Sequence, residues 1–147
     1  MIQSDVATSD PIRARAEERR KKRRVLIVDD DELVLASLRN LLYLETGYEL
    51  YVETNPSKAL QLLSAKHFDV VISDFLMPGI DGIELLEIAA EIQPEATRIL
   101  LTAYGDGRRI RRAVRDLGLH YMEKPWNNAE ILNIITSALR KRFGDED

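Results

Sequence analysis

Three short, uninterrupted apolar or β-branched runs and two weaker strand-like segments, each followed by a longer stretch with helical spacing, constrain this chain more than anything else in it. VLIV (25–28), VVIS (70–73) and RILLT (98–102) have no polar alternation. A strand with one wet face alternates, so continuous runs point to strands covered on both faces, as in parallel sheets. Two weaker segments, YELYVE (48–53) and HYME (120–123), complete the five. Helices are expected at about 32–45, 56–65, 82–92, 106–117 and 128–142, with Asn55-Pro56 and Gly82 marking starts and Gly47 and Gly118 marking ends. A strand-helix pair repeated five times implies an α/β fold, one parallel sheet wound on both faces by helices through right-handed crossovers.

In open parallel sheets, ligand sites form beyond the carboxyl ends of the strands. After the first strand come Asp29, Asp30 and Asp31; after the third, Asp74; after the fourth, Thr102; after the fifth, Lys124-Pro125. Taken singly, each has a plain structural role: Asp30 or Asp31 as a helix cap, Thr102 as a β-branched strand residue, Lys124 as a solvated lysine. Together, three carboxylates, a hydroxyl and an ammonium converge on one rim. Crowded carboxylates repel, and a cation between them lets them stay ionised. All-oxygen donors favour Mg²⁺ or Mn²⁺, because the chain has no cysteine and neither histidine, His67 or His120, falls in the rim. With the cation beside it, Asp74 is placed as a nucleophile toward phosphorus, and Lys124 and Thr102 can each contact a phosphoryl oxygen. The product is an aspartyl phosphate.

VLIVDDDE (25–32), VVISDFLMPGIDG (70–82), ILLTAYGD (99–106) and YMEKPW (121–126) resemble, in order and spacing, the four blocks of response-regulator receiver domains of two-component signal transduction. The resemblance covers about residues 24–142. It implies a flavodoxin-like (βα)5 fold with strand order 2-1-3-4-5. It further implies that Asp29 and Asp30 form the acidic pair for the cation, that Asp74 is phosphoacceptor and metal ligand, and that the Leu76 carbonyl is another ligand. Thr102 and Lys124 contact the phosphoryl group, Tyr121 changes rotamer on activation, and Leu76 and Tyr104 border the phosphoryl group and govern its lifetime. The implied phosphodonor is a histidine kinase or histidine phosphotransfer protein, and catalysis is confined to the chain's own phosphorylation and dephosphorylation. Lys124-Pro125 resembles the family's cis peptide.

Other functions have sequence signatures to meet. An aspartate-nucleophile, Mg²⁺-dependent phosphohydrolase of the haloacid-dehalogenase kind typically has a second aspartate two residues after the nucleophile, where this chain has Leu76, and there is no room for a cap domain. A receiver-like binding scaffold is disfavoured because every rim residue is present. Output is expected through residues 106–142, to a downstream protein or a homodimer. The helix there carries Arg108, Arg109, Arg111, Arg112 and Arg115, with Glu123 and Glu130 on neighbouring elements. That charge suits a dimer, an acidic partner or plain solvation.

Charge divides the 147 residues unevenly. Residues 1–24 hold 8 basic and 4 acidic side chains and the other 123 hold 13 and 21, so a +4 segment precedes a −8 body. The expected organisation is a basic arm (1–23), a receiver domain (24–142) and an acidic tail (143–147). Asp10-Pro11 reads as an N-cap with proline at the first helical position. In the arm, Glu17/Lys21 and Glu18/Lys22 have ion-pair spacing, which fits a solvated helix or a segment docking on nucleic acid, an anionic membrane or a second subunit. An acidic body is a poor general binder of nucleic acid. Only GDED (144–147) follows the last helix, so no DNA-binding domain is expected in this chain, which is either a single-domain regulator or a receiver cut from a longer protein. No apolar run approaches a membrane span, no secretory leader is evident, and a cytoplasmic location is expected. His67 and His120 read as isolated surface or strand-edge residues, and Trp126 as packing beneath the last helix.

Overall fold

The computed structural model describes residues 10–15, 23–103 and 107–144. Its five strands are β1 (Arg24–Val28), β2 (Glu49–Glu53), β3 (Val70–Asp74), β4 (Thr97–Thr102) and β5 (His120–Glu123). They form one sheet in the order β2-β1-β3-β4-β5 with every neighbouring pair parallel, as expected. Five helices alternate with them: α1 (Glu32–Glu45), α2 (Pro56–Ala65), α3 (Gly82–Ile92), α4 (Arg108–Leu117) and α5 (Asn128–Phe143).

Successive side chains of a strand point to opposite faces, and the continuous apolar runs therefore feed two cores. Val25, Ile27, Val70, Ile72, Ile99 and Leu101 pack with Leu35, Leu38 and Leu42 of α1 and with Ile131, Ile135 and Leu139 of α5. Leu26, Val28, Val71 and Leu100 pack on the other side with Ala59 and Leu63 of α2, Ile83, Leu86 and Ala89 of α3, and Ile110 and Ala113 of α4. Each fully buried Leu or Ile contributes roughly 1.5–3 kcal/mol. Removing one core face would leave half the sheet wet.

The helix ends follow local chemistry. Asp31, Asn55, Asp81 and Asn127 cap α1, α2, α3 and α5 through their side chains, and Asp81 completes a reciprocal capping box with Glu84. Asp10 accepts hydrogen bonds from the backbone N–H groups of Ile12 and Arg13, and residues 11–15 are helical. The Glu17/Lys21 and Glu18/Lys22 pairs lie outside the described residues. Gly118 ends α4 in the left-handed conformation, whereas α1 ends at an extended Thr46 and Gly47 has no positive φ. There the Thr46 hydroxyl and N–H both donate to the Leu42 carbonyl, a side-chain solution that the glycine obscured. Helix α4 starts at Arg108, with Gly107 as its N-cap, rather than at 106.

Candidate functional site

The three consecutive aspartates after β1 separate by role. Asp29 points inward, is 1% exposed and accepts from the Asp31 N–H at 2.9 Å. Asp30 is exposed. Asp31 turns away to cap α1, accepting from the Leu33 N–H at 2.9 Å, which is the plain structural role available to it. From the end of β3, Asp74 joins Asp29 and Asp30, and carboxylate oxygens of the three lie within 4.8 Å of one another.

Lys124 closes the site from β5. Its backbone N–H donates to the Thr102 carbonyl at 2.8 Å, which fixes the lysine beside the end of β4. Its Nζ then donates to Asp29 Oδ2 at 2.8 Å and lies 2.9 Å from Asp74 Oδ1. The Lys124-Pro125 peptide is cis. Thr102 is fully buried at the end of β4. Tyr121 is half-buried against the core face shared by α2, α3 and α4, and Leu76 is 49% exposed on the β3–α3 connection. Tyr104 lies outside the described residues. The fold therefore brings Asp29, Asp30, Asp74 and Lys124 together, with Thr102 at the adjoining strand end.

Burial pushes the Asp74 carboxyl above the usual carboxylate range, and the charges of Asp29 and Asp30 push it the same way against the opposing pull of Lys124. Burial also works against the Lys124 ammonium, but its hydrogen bonds to Asp29 and Asp74 outweigh that and hold it above the ordinary lysine range. One ammonium does not balance three carboxylates. The excess negative charge and the hard oxygen donors are what a divalent cation such as Mg²⁺ selects, so this donor set fits one.

The connection from Asp74 to α3 is held by backbone. Phe75 N–H donates to the Leu101 carbonyl at 2.8 Å and Gly82 N–H to the Phe75 carbonyl at 2.7 Å. A Cβ on Gly82 would stand 2.1 Å from the Asp74 carbonyl oxygen, so only glycine permits this approach. Reasoning from sequence missed one neighbour of this loop. Arg109 of α4 forms an ion pair with Asp81 and its guanidinium carbon sits 5.7 Å from the Phe75 ring centroid, one residue from Asp74. The run of arginines in α4 concealed it, since nothing in their spacing separates Arg109 from the rest.

The doubly wound parallel sheet in this order thus carries an acidic crevice beyond β1 and β3 with a lysine reaching over it. Residues 25–136 match the family model of the response regulator receiver domain, and the chain belongs to that family. It is 34% identical over 102 residues to the response regulator protein FleR of Pseudomonas aeruginosa, which covers 69% of this chain and 22% of FleR. It is 32% identical over 103 residues to sporulation initiation phosphotransferase F of Bacillus subtilis, covering 69% of this chain and 82% of that protein. The chain thus spans about a fifth of FleR, and it covers 16% of a two-component response regulator of Arabidopsis thaliana.

Among solved structures, a receiver domain protein of Methanospirillum hungatei superposes with a TM-score of 0.76 at 30% identity, covering 82% of this chain and 95% of that one. The response regulator TrrA of Thermotoga maritima, in complex with Mg²⁺ and BeF, gives 0.71 at 31% identity, covering 80% and 99%. Receiver domains of two-component systems typically work with histidine kinases or phosphotransfer proteins. Among the described residues, no helix is long and apolar enough to cross a membrane.

Proposed function

We propose that this chain is a phosphorylation-activated switch whose phosphoacceptor is Asp74, charged by a histidine kinase or histidine phosphotransfer protein in the cytoplasm. The observation that carries the reading is the Lys124 ammonium held between Asp29 and Asp74 inside a three-carboxylate cluster. Asp29, Asp30, Asp74 and the Leu76 carbonyl would hold Mg²⁺, or Mn²⁺. The bound cation supplies charge neutralisation for the phosphoryl oxygens. An Asp74 carboxylate oxygen forms the new bond to phosphorus as the phosphorus–nitrogen bond of phosphohistidine breaks, and its electron pair returns to the imidazole, which takes up a proton. Lys124 is released from Asp74 as that carboxylate is esterified and turns to a phosphoryl oxygen, and the Thr102 hydroxyl reaches another.

The same reading takes residues 24–142 as the receiver, 1–23 as a basic arm and 143–147 as a tail. Movement of Thr102 toward the phosphoryl group vacates space for Tyr121 to turn inward, which changes the surface over 106–142 for a downstream protein or a second copy. Leu76 and Tyr104 screen the aspartyl phosphate from an attacking water, so Leu76→Asn and Tyr104→Glu should each speed phosphate release after donor is removed. The primary test is intact mass after treatment with acetyl phosphate or phosphoramidate in Mg²⁺. One added phosphate on the native chain, and none on Asp74→Asn or in excess chelator, is expected. Undiminished labelling of Asp74→Asn would sink the assignment.

A further inference from the structure

Helix α4 is built against its own stability. Its sequence is RRIRRAVRDL, with only Ile110 and Ala113 buried. Arg108 and Arg109 occupy the first turn, where the helix dipole disfavours cations, and Gly107 offers no side-chain cap. Arginines recur at spacings of three and four (108/111, 108/112, 111/115, 112/115), so like charges face one another along the helix. The other four helices are all capped by side chains, and α1, α3 and α5 carry acid in the first turn. Residues that break local rules without a compensating gain in packing mark function more often than stability.

At about 100° per residue, Arg108, Arg111, Arg112 and Arg115 fall within one sector of about 100°, opposite buried Ile110 and Ala113. All four are exposed. Arg109 lies to one side, held by Asp81 and by the fields of Glu84 and Glu87, which raise its already high pKa further. The basic stripe therefore has an acidic border: Glu84, Glu87 and Glu91 stand exposed along α3, and Glu123 is exposed at the end of β5, the edge strand that follows α4. It is a cationic strip one helix wide, roughly 10 Å, on a body whose net charge is negative.

We infer that this strip docks an acidic polypeptide segment, the inference resting on the reading of residues 106–142 as the output surface and naming the chemistry of the partner. A nucleic-acid duplex or an anionic bilayer is broader than the strip and would press phosphates against the glutamates of α3 and β5. A single acidic helix or extended segment fits between those borders and sets its carboxylates chiefly beside Arg108 and Arg112, since Arg115 already pairs with Asp116 at 2.9 Å. Docking removes the like-charge repulsion that burdens the free helix, so affinity is drawn from a penalty the unbound protein carries.

The experiment uses the full chain and a fluorescein-labelled helical peptide with four glutamates along one face, read by anisotropy, beside its glutamine counterpart, a 20-base-pair duplex and phosphatidylserine vesicles. The glutamate peptide should bind in a salt-sensitive way, and Arg108→Glu with Arg112→Glu should weaken it at least tenfold. Arg13→Gln with Arg15→Gln in the arm should change it less than twofold. Because charge reversal could disturb the helix, Arg108→Gln with Arg112→Gln is measured too. That variant should melt no lower than the native chain yet bind the peptide several-fold more weakly. Equal binding of the glutamate and glutamine peptides, an effect of reversal below twofold, or loss of duplex or vesicle binding rather than peptide binding on reversal would each overturn the inference. Intact mass on the same samples separates the two readings. Arginine-dependent binding by a chain that fails to take phosphate at Asp74 upholds the strip and removes the phosphoacceptor assignment, whereas phosphorylation without such binding does the reverse.

Discussion

Strand β3 has a buried aspartate at each end, and the two live in opposite electrostatic settings. Asp69 immediately precedes the strand, is 2% exposed and is surrounded by donors: Arg24 N–H at 2.9 Å, His67 Nε2 at 3.2 Å and Arg142 Nη1 at 3.4 Å. Asp74 closes the strand, is 8% exposed, shares one ammonium with buried Asp29 and has the exposed carboxylate of Asp30 in the same cluster. Burial does not distinguish them. The balance of donors against like charges does: Asp69 is matched by its donors, whereas Asp74 is left with an excess of like charge, the setting in which the proposed phosphoacceptor role would operate.

The amino-end hub also ties the chain's path together. Arg142, at the end of α5, reaches both Asp69 and the Glu95 carbonyl, and Arg23 stacks 3.5 Å above the Phe143 ring centroid just before β1 begins. The segment entering the sheet and the helix leaving it are thus fastened at the end remote from Asp74. The largest effect we expect comes from breaking this hub. Asp69→Ala leaves the Arg24 N–H and the Arg142 guanidinium without their buried acceptor and should cost about 3 kcal/mol. A melting temperature lower by roughly 6–12 °C is expected for a chain of this size. Asp69→Asn keeps an acceptor for the backbone donor and should lose clearly less. Equal melting of Asp69→Ala and the native chain would remove the architectural role.

Cation addition should separate the two ends next. A ligand at ten times its Kd stabilises the native state by about 1.4 kcal/mol. Mg²⁺ at such a concentration should raise the melting temperature of the native chain and of Asp69→Asn by similar amounts. Asp30→Ala should respond much less, because it loses a ligand from the cluster while its fold, free of one crowded charge, is no weaker. A full Mg²⁺ response in Asp30→Ala would place the ion elsewhere.

Asp74→Asn should have a smaller effect on stability and the opposite sign to Asp69→Ala. Its raised carboxyl pKa means that, without a cation, the folded state binds more protons than the unfolded chain between the ordinary aspartate pKa and the folded value. Stability is therefore lost as pH rises through that window, and the full cost is carried at neutral pH. In chelator, Asp74→Asn should melt at or above the native chain at pH 7, with the difference shrinking as pH falls to 4. A native chain that gains on the variant as pH rises would contradict the repulsion argument.

How much of this was legible beforehand depended on whether the cause was local. Strands β1, β3 and β4 declared themselves because burial on both faces demands unbroken apolar runs, and Asn55-Pro56 and Gly82 marked helix starts correctly. Gly82 was legible as a boundary but not for its main reason, the close pass of the Asp74 carbonyl, which only the folded loop creates. The rim at the strand ends was visible because topology alone brings those positions together. The Asp69 hub was not, since its partners lie 45 and 73 residues away and each is an unremarkable residue in its own segment. His67, read as isolated, pairs with Asp69 two residues on. That contact depends on how the chain enters β3, a matter of tertiary geometry that no periodicity records.

His120 offers the finest test of the same distinction, because it shares the amino end of the sheet with His67 but not its carboxylate. It opens β5 in a groove bordered by Glu95, Thr97, Asn133, Ser137, Lys141 and Arg142, and burial holds its ring below the ordinary histidine range. The depressed pKa means that the unfolded chain binds more protons than the folded one as pH falls below about 6.5. Stability associated with this ring is therefore complete above that pH and is lost as pH drops through the window down to the folded value. His120 keeps contact with solvent, which screens the effect of its partial burial, so the slope should be the smallest of those considered. Thermal melts of the native chain and His120→Gln across pH 5 to 8 give the measurement. The two curves should run parallel above pH 7 and converge or cross on the acid side, as the native chain falls faster. If the native chain instead gains on His120→Gln toward low pH, then Glu95 stabilises the imidazolium more than burial penalises it. The groove would then resemble the Asp69 hub, a place where buried charge is balanced rather than one where it is withheld.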